Sequence, residues 1–494
     1  MKWNVEKYVS WPNGLGAAAV VLVLILQWMW VPAFAATWDM VDFSLGVVHF
    51  DMYQMRPHFP GYPYFILGGK ALHLLVDDPA KSLSLFNILL YGSGMIPMFL
   101  LVKRLVQPSQ SIMAVAILYS SSFTVLMVNQ PMSEGAAIGM MWWYIWSLVY
   151  AHDRAHKGFL IVPLFVFSLL LGIRLSYVAL GVGILMVMGI KWRSGTLKVK
   201  EIPLFLVIGI LFQLLWVTAI SISEGGYSSF LRLAFSFTNG HFQEWGGAIG
   251  ASDLGLFERG SKLLFENTMW TGGVARSVPL LVLLVSALLL AWKARVNRHM
   301  MIRLILVLLG GYLLWALFAQ NVMKPRHALP LIGMGIFLIT VKVYSGRQSP
   351  IRLMILSLLL MFQVFHTGKL LYSHHSDIPA VYQLAHFLEK KDEPLIVYTW
   401  EESRVFEYLS VPFRHEKVET YEVFSVDAGY YPDRDIYVTD KVLEGFRQQG
   451  VPVDSFKKIK QFESNELMDP VYHEITLYKY QGKLNTKTRG EEDR

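Results

Sequence analysis

The segment "TWDMVDFSLGVVHFDMYQMRPHFPGYPYF", residues 37–65, directly follows an apolar run at 14–36 that is long enough to cross a membrane. The segment carries three carboxylates, a guanidinium and an imidazole, which belong to Asp39, Asp42, Asp51, Arg56 and His58. Charged side chains are costly inside a bilayer, and those near helix ends reach the interface. The segment is therefore predicted to lie at the mouth of a membrane helix.

The composition of the chain is that of a polytopic membrane protein. Of its 494 residues, 54% are hydrophobic and only 16% are charged, which is far from a soluble globular composition. Eleven apolar stretches of 14 to 23 residues are candidates for membrane helices, which need roughly 17 to 25 residues. They lie at 14–36, 84–102, 110–128, 134–151, 158–174, 177–190, 202–221, 277–292, 303–320, 327–341 and 352–371.

Basic residues alternate between the connections of these stretches, which predicts the orientation of the chain, because Lys and Arg are retained on the cytoplasmic side. They are Lys2, Lys7, Lys103, Arg104, Arg154, Lys157, Lys191, Arg193, Lys198, Lys200, Lys293, Arg295, Arg298, Arg303, Lys342, Arg347 and Arg352. The N-terminus is thus predicted inside and the C-terminus outside, in a multi-pass protein of the plasma membrane. The first run is too long and too weakly flanked by basic residues for a signal peptide, so it is predicted to be retained.

Three long segments are predicted on the outer side, at 37–83, 222–276 and 372–494. The stretch 62–75 has helical spacing but cannot span a bilayer, which predicts an interfacial helix. The second segment mixes glycines, aromatics and scattered charges, and is predicted to be a partly helical loop. The working surface of the protein is therefore expected outside.

Beyond residue 376 the composition becomes polar and charged, which predicts a separate domain. Its strand candidates are 394–400, 434–440 and 472–480, and its helix candidates are 381–391 and 440–450. The predicted fold class is a polytopic α-helical membrane protein of about eleven helices with a C-terminal extracytoplasmic α/β domain. The predicted boundaries are 1–371 for the membrane domain, 372–482 for the α/β domain and 483–494 for a disordered tail.

Asp39 and Asp42 are three residues apart and share one face if the segment re-enters a helix. A carboxylate that is partly desolvated at the membrane edge has a raised pKa and is a better base. The same spacing also fits interfacial residues that cap helices and contact lipid headgroups. In "RPHFPGYP" (56–63) the prolines and the glycine either present Arg56 and His58 rigidly beside the aspartates, or simply start the interfacial helix.

The order of these motifs, WD-x-x-x-F-x-L-G followed by PH-x-PGYP, resembles the first outer loop of the GT-C superfamily of polyprenyl-phosphate-sugar-dependent glycosyltransferases. Protein O-mannosyltransferases and aminoarabinose transferase belong to that group. By the resemblance, Asp39 takes the position of the family's acidic residue, and HFPGYP (58–63) that of its HPP-like motif. The chain departs from the family pattern at Met40, where Glu is common, and at Phe59, where Pro is common.

Three further motifs follow in family order on the predicted outer side. They are "NQPMSEG" (129–135), "GIRLSY" (172–177) and "KPRHALP" (324–330), the last in place of the family's R-Y-x-x-P pattern. Cations such as Arg174 and Arg326 are costly in apolar segments and usually functional there. Each either binds a lipid-linked phosphate in the fork geometry of a guanidinium or extends to the outer headgroups. Glu134 either orients a donor sugar or caps a helix.

The resemblance implies an inverting glycosyltransferase of the cell envelope that moves a sugar from a polyprenyl-phosphate donor to an extracytoplasmic glycan, lipid or protein. The absence of cysteine is compatible with a bacterial protein exposed to an oxidising exterior. Asp39 is then the base, Asp42 a supporting residue, and Arg174 and Arg326 bind the donor phosphate. Arg56, His58 and Glu134 position substrate. No metal, other cofactor or nucleic acid is expected. A transporter of a lipid-linked sugar and a non-catalytic scaffold of the same fold are the alternatives.

Overall fold

The computed structural model describes residues 5–244, 246–292, 299–345 and 349–482. The chain divides into two compact units, one formed by Met1–Ala33 and Gly46–His375 and the other by Phe34–Leu45 and Ser376–Arg494. The disorder predicted for 483–494, and five of the basic residues used to predict orientation, lie outside the described residues. The latter are Lys2, Lys293, Arg295, Arg298 and Arg347.

Helices make up the described part of the chain as far as Ser376. The α-helices are α1 (Trp11–Met29), α2 (Trp38–Val48), α3 (Pro63–His73), α4 (Pro79–Ser93), α5 (Met95–Val102), α6 (Pro108–Tyr119), α7 (Ser122–Val128), α8 (Ser133–Asp153), α9 (Ile161–Ile173), α10 (Val182–Arg193), α11 (Ile202–Ser223), α12 (Tyr227–Gln243), α13 (Leu256–Ser261), α14 (Val278–Ala291), α15 (Met300–Ala319), α16 (Leu329–Ser345) and α17 (Pro350–Ser376). A π-helical segment, Lys262–Gly273, follows α13, and 3-10 turns include Leu175–Gly181 and Pro325–Ala328.

Every predicted membrane span overlaps a helix, but the count of eleven is not confirmed. Within the described residues, seven helical stretches are long and apolar enough to cross a membrane, or nine if each of two bent helix pairs counts as one span. Two predicted spans are not among them. α8 carries three tryptophans and two tyrosines, which lower its hydropathy, and the helical stretch Lys157–Ile173 is short.

The two bent pairs break the helical backbone where polar groups can stabilise it. α6 and α7 meet at 60°, and the helical stretch Leu256–Gly273 meets α14 at 106°. At the first break, Thr367 of α17 donates to the Ser122 hydroxyl at 3.0 Å, and Ser122 donates to the Gln363 carbonyl at 3.2 Å. Thr367 also approaches the Ser120 carbonyl at 3.5 Å, which is a backbone group of the break, and a non-helical backbone at membrane depth must be satisfied by protein.

The second unit contains a five-stranded sheet with helices packed on it. Its elements after Ser376 are α18 (Ala380–Glu389), β1 (Leu395–Thr399), α19 (Glu402–Leu409), β2 (Arg414–Lys417), α20 (Tyr421–Ala428), β3 (Asp435–Thr439), α21 (Asp440–Gln448), β4 (Phe456–Glu463) and β5 (Glu474–Tyr480). The strand order is β2-β1-β3-β5-β4, with β1 parallel to β2 and β3, and β5 antiparallel to β3 and β4. This confirms the predicted α/β architecture.

The core of the sheet domain is aromatic. Phe424 of α20 and Phe446 of α21 are fully buried with ring centroids 5.3 Å apart, and they pack with Tyr398 and Phe456 of the strands. Three of the strands were predicted, whereas β2 and β4 were not. The boundary between the two units falls within α2, because the first turns of that helix belong to the sheet domain.

Candidate functional site

Three of the predicted site residues meet inside the first unit. The Glu134 carboxylate lies 2.9 Å from Nη2 of Arg174 and 3.0 Å from Nε of Arg326. The side chains are 2%, 10% and 12% exposed, respectively. Both cations approach the same oxygen, Oε1, as ion pairs rather than as well-aligned hydrogen bonds. We call these three residues the Glu134 cluster.

Glu134 is placed by a buried amide in α4. The side chain of Asn87 donates to the carbonyls of Gln130 and Met132, each at 2.8 Å, and accepts from the backbone N–H of Ala136 at 2.8 Å. These bonds fix the chain just before α8 and through its first turn, where Glu134 lies. The carboxylate is thereby near the positive end of the α8 dipole, which favours its charge.

Gly135 permits this close approach between α4 and α8. A Cβ atom at position 135 would lie 2.7 Å from Cγ of Asn87 and 2.9 Å from the Cα of Val128. Contacts this short do not occur between real atoms of these kinds, so a side chain would push α8 away. The motif "NQPMSEG" is explained by this packing together with the hydrogen bonds of Asn87.

Arg174 stands where α9 ends. Its backbone is extended, with φ −155° and ψ 105°, and the 3-10 turn Leu175–Gly181 starts directly after it. The extended residue turns the guanidinium toward α8, where Nη1 donates to the Ser133 hydroxyl at 2.8 Å. Ser133 and Glu134 therefore hold two different nitrogens of the same guanidinium.

Arg326 stands at another helix break, between α15 and α16. The segment is held by backbone acceptors, since Tyr312 donates to the His327 carbonyl at 3.1 Å and Asn267 donates to the Val322 carbonyl at 2.7 Å. The His327 ring contacts the Asn321 carbonyl at 3.1 Å. Each member of the Glu134 cluster thus comes from a separate interruption of the helical backbone, where side chains can be directed inward.

The Glu134 cluster brings two buried guanidinium groups to one carboxylate. The phenols of Tyr62, Tyr177 and Tyr312 lie near Arg174. Two guanidinium groups and hydroxyl donors of this kind can hold an anion such as a phosphate. Sequence reasoning missed Tyr62, although it stands in the quoted "PGYP" motif.

His58 lies in the turn before α3 and contacts one of these phenols, that of Tyr62. Its Nε2 is 2.9 Å from the Tyr62 hydroxyl, and its ring stacks on Phe237 at 6.0 Å. Gly61 and Tyr62 have positive φ values of 87° and 46°, which turn the chain into α3. A positive φ costs little at a glycine, which is how Gly61 serves this turn.

Arg56 closes a small turn before His58. Its backbone exchanges two hydrogen bonds with that of Asp51, at 2.7 and 2.8 Å. The structure places Arg56 and His58 in the first unit, whereas Asp39 and Asp42 belong to the second.

Both predicted carboxylates of the opening segment lie on α2, as the three-residue spacing suggested. Asp39 stands in the first turn and is half-buried, whereas Asp42 has no exposed surface. The Asp42 carboxylate accepts from Nε of Arg404 in α19 at 2.9 Å. Arg404 carries no signal in the sequence, since it lies 362 residues from its partner.

α19 also contains a buried carboxyl group, Glu402. Its side chain accepts from the backbone N–H of Trp400 at 3.0 Å and is 2% exposed. Burial, with Asp440 nearby as a second cause, raises the pKa of Glu402 to about 7. α19 therefore presents one titratable group to the domain core and one permanent cation to α2.

Metal ligands are not grouped in the described part of the chain. None of its His, Asp and Glu side chains form a set of three or more that could hold a metal ion, and the chain has no cysteine. The Glu134 cluster offers one carboxylate between two cations.

Comparison with known proteins gives a fold. No protein-family model matches the chain, and no curated protein matches it by sequence. The structure is similar to that of ArnT from Cupriavidus metallidurans bound to undecaprenyl phosphate, with a TM-score of 0.59 and 10% identity over 94% of this chain and 98% of that chain. The apo state of the same ArnT has a TM-score of 0.60 over the same shares at 10% identity.

An oligosaccharyltransferase from Archaeoglobus fulgidus in its apo form is also similar, with a TM-score of 0.50 and 10% identity over 89% of this chain and 70% of that chain. Both neighbours are membrane glycosyltransferases of the GT-C superfamily. At this level of identity, the likeness establishes architecture and leaves the reaction to be argued from the site. The chain has the GT-C fold.

Proposed function

We propose that the protein transfers a sugar from a polyprenyl-phosphate-linked donor to an acceptor outside the membrane. The observation that carries this proposal is the convergence of the buried guanidinium groups of Arg174 and Arg326 on Glu134 in a chain of GT-C fold. The similar ArnT structure contains undecaprenyl phosphate, and a lipid phosphate is the class of anion that two guanidinium groups suit.

Arg174 and Arg326 would bind the donor phosphate and stabilise the charge that grows on it as the sugar leaves. Glu134 and Ser133 already fix the guanidinium groups. Donors held in place before the reaction cost no reorganisation when charge develops, which is the main advantage of a prepared electrostatic site. Glu134 in this role orients the two cations, and any contact with the donor sugar is additional.

Asp39 would act as the general base that takes the proton of the acceptor hydroxyl. It is half-buried in the first turn of α2, whereas Asp42 has no exposed surface. Direct attack by the acceptor on the anomeric carbon breaks the bond to phosphate and inverts that carbon. The His58 and Tyr62 pair would position substrate beside the cations, with Arg56 supporting the turn that precedes it. Asp42 would support α2.

We further propose that the N-terminus is cytoplasmic and the sheet domain extracytoplasmic, because basic residues alternate between the helix connections. The acceptor would then be a glycan, lipid or protein of the cell envelope. The prepared anion site operates without a metal in this scheme.

A transporter of lipid-linked sugars is the second candidate, because two helix pairs in the described residues are sharply bent. Broken helices form the substrate sites of many transporters. The two candidates differ in chemistry, since a transporter leaves the bond between sugar and phosphate intact. A non-catalytic scaffold also leaves it intact, and in addition moves no lipid.

The binding test uses the full chain in lipid nanodiscs with undecaprenyl phosphate as the probe. Arg326→Gln should weaken binding about tenfold or more, whereas Arg326→Lys should retain part of it, because a point charge replaces a fork. Arg193→Gln is the matched control, since Arg193 is an exposed cation in the last turn of α10. Equal binding by all three variants would contradict a phosphate role for Arg326.

The transfer test compares the surface glycans and lipid-linked sugars of cells that have or lack the protein. Loss of a glycan together with accumulation of its lipid-linked sugar identifies the acceptor and the donor. Asp39→Asn should reduce the transfer rate by about 10²- to 10⁴-fold, with undecaprenyl phosphate binding unchanged. Asp77→Asn, at an exposed carboxylate of the same outer segment, should have no effect. Reconstituted vesicles in which lipid-linked sugar crosses the bilayer uncleaved would support the transporter instead.

A further inference from the structure

The inference concerns the contact between α2 and α19 inside the second unit. Asp42 is completely buried, and the Arg404 side chain is 8% exposed, with 2.9 Å between the two charged groups. Nη1 of Arg404 also reaches the Glu407 carboxylate at 2.6 Å. Removing one partner from a buried ion pair leaves an uncompensated charge, so such a pair holds its two helices tightly.

The same guanidinium also contacts the start of α2. It lies over the Trp38 ring at 5.5 Å, and Nζ of Lys417 lies over that ring at 5.4 Å and over the Trp400 ring at 4.4 Å. Trp38 and Asp42 are four residues apart, so they share one face of the helix. Cations of the sheet domain therefore contact this face of α2 at both Trp38 and Asp42.

The chain immediately before α2 is attached as well. The Ala35 N–H donates to the Tyr382 hydroxyl of α18 at 3.0 Å, and Phe34 packs edge-on against the same ring at 5.0 Å. Residues 34 to 42 are thereby fixed to the sheet domain at three points, namely Tyr382, Lys417 and Arg404. These contacts explain why the segment belongs to the same compact unit as residues more than 330 positions later in the chain.

Asp39 lies between Trp38 and Asp42, two residues of α2 that contact the sheet domain. It follows Trp38 directly and precedes Asp42 by three positions, so the rotation of α2 about its axis sets where its carboxylate points. Asp42, with no exposed surface, is not reachable by a substrate while Arg404 holds it. The two aspartates of the segment thus have different surroundings, because Asp39 is half-buried and Asp42 is completely buried.

We propose that Arg404 is a positioning residue for the base Asp39 and that it acts through its ion pair with Asp42. The proposal rests on the proposed function, in which Asp39 takes the acceptor proton. If Arg404 has this role, the sheet domain contributes to catalysis, because the sheet domain determines the rotation of the helix that carries the base. A displacement of about 1 Å in a reacting group can reduce a rate by about 10²-fold.

The experiment uses the full chain in nanodiscs and measures kcat and KM of sugar transfer together with hydrogen exchange of residues 37–45. Arg404→Gln should lower kcat about 10²-fold, leave KM for the donor within about twofold, and increase exchange in 37–45. Arg404→Lys should restore part of kcat, because a cation again faces Asp42. Arg414→Gln is the matched control in the same domain, since Arg414 forms an exposed ion pair with Glu416 at 3.0 Å.

Asp42→Asn removes the pair from the other side and should reproduce the effects of Arg404→Gln. The double variant should lose no more kcat than Arg404→Gln alone, because Arg404→Gln already breaks the contact with Asp42. The proposal is overturned if the losses add, if KM rises while kcat is kept, or if Arg404→Lys is no better than Arg404→Gln. It is also overturned if exchange rises equally throughout α18 to α21, which would mean general unfolding.

Failure of the proposed function has a different signature. If Asp39→Asn keeps the wild-type transfer rate, Asp39 is not the base and the enzymatic role assigned to it is wrong. Hydrogen exchange of 37–45 in Arg404→Gln then still reports whether Arg404 fixes α2. Unchanged exchange there, with normal or absent transfer, would refute the positioning role by itself.

Discussion

Glu402→Gln should make the stability of the sheet domain less dependent on pH. The folded pKa of Glu402 is about 7, above its ordinary value of 4.5. A folded state that holds a proton more tightly than the unfolded chain loses stability as pH rises. The loss therefore begins near the unfolded pKa of 4.5, grows through the window up to about 7 and is complete above it.

The size of the effect follows from the shift. A change from 4.5 to about 7, at about 1.4 kcal/mol for each pH unit, corresponds to about 3 kcal/mol. Glutamine keeps the oxygen that accepts from the Trp400 N–H and carries no charge at any pH. The variant should thus equal the wild type near pH 4.5 and exceed it by up to about 3 kcal/mol near pH 8.

Urea unfolding of the full chain, followed by pulsed hydrogen exchange of α19 peptides at about pH 5 and about pH 8, measures this difference locally. Glu422→Gln in α20 is the control, because Glu422 is exposed and should show the same small change at both pH values. Parallel curves for Glu402→Gln and the wild type would refute the reasoning, since they would mean that Glu402 has the same proton affinity in both states.

The remaining predictions concern the Glu134 cluster and the orientation of the chain. Gly135→Ala should weaken undecaprenyl phosphate binding about tenfold in nanodiscs, because its Cβ would lie 2.7 Å from Asn87, whereas Gly189→Ala, which meets nothing within 4 Å, should bind normally. Asn87→Ala should lower the thermal midpoint of the first unit, because each buried backbone group that it leaves unpaired costs about 1–3 kcal/mol. On intact cells, an impermeant thiol reagent should label Lys457→Cys and not Ser345→Cys, and the reverse result would invert the predicted orientation.

The membrane helices and three of the five strands were predictable, because each forms a local pattern. A long apolar run indicates a span, and "LIVYT" at 395–399 is a fully buried strand with four hydrophobic residues in succession. β2, by contrast, is four residues of "RHEK" with mostly exposed side chains. No alternation is available there, and its strand character comes from pairing with β1.

The Glu134 cluster was predictable only in its parts. Three charged residues near apolar segments could be singled out one by one, since each is costly in a membrane. That two of them share the carboxylate of the third depends on helix breaks near 132, 174 and 325 meeting in space. The pairing of Asp42 with Arg404 could not be predicted at all, because one sequence contains no signal that links an aspartate near its start to an arginine near its end.

The distance along the chain between Asp42 and Arg404 also orders events during biosynthesis. A ribosome adds about 5–20 residues each second, so the 362 positions between them correspond to roughly 20 to 70 seconds. Throughout that interval Asp42 of α2 has been synthesised but Arg404, its ion-pair partner, has not, while the membrane helices are already being inserted. Under the proposed function, the base Asp39 would therefore reach its final position among the last steps, and a nascent or truncated chain would bind the lipid donor without consuming it.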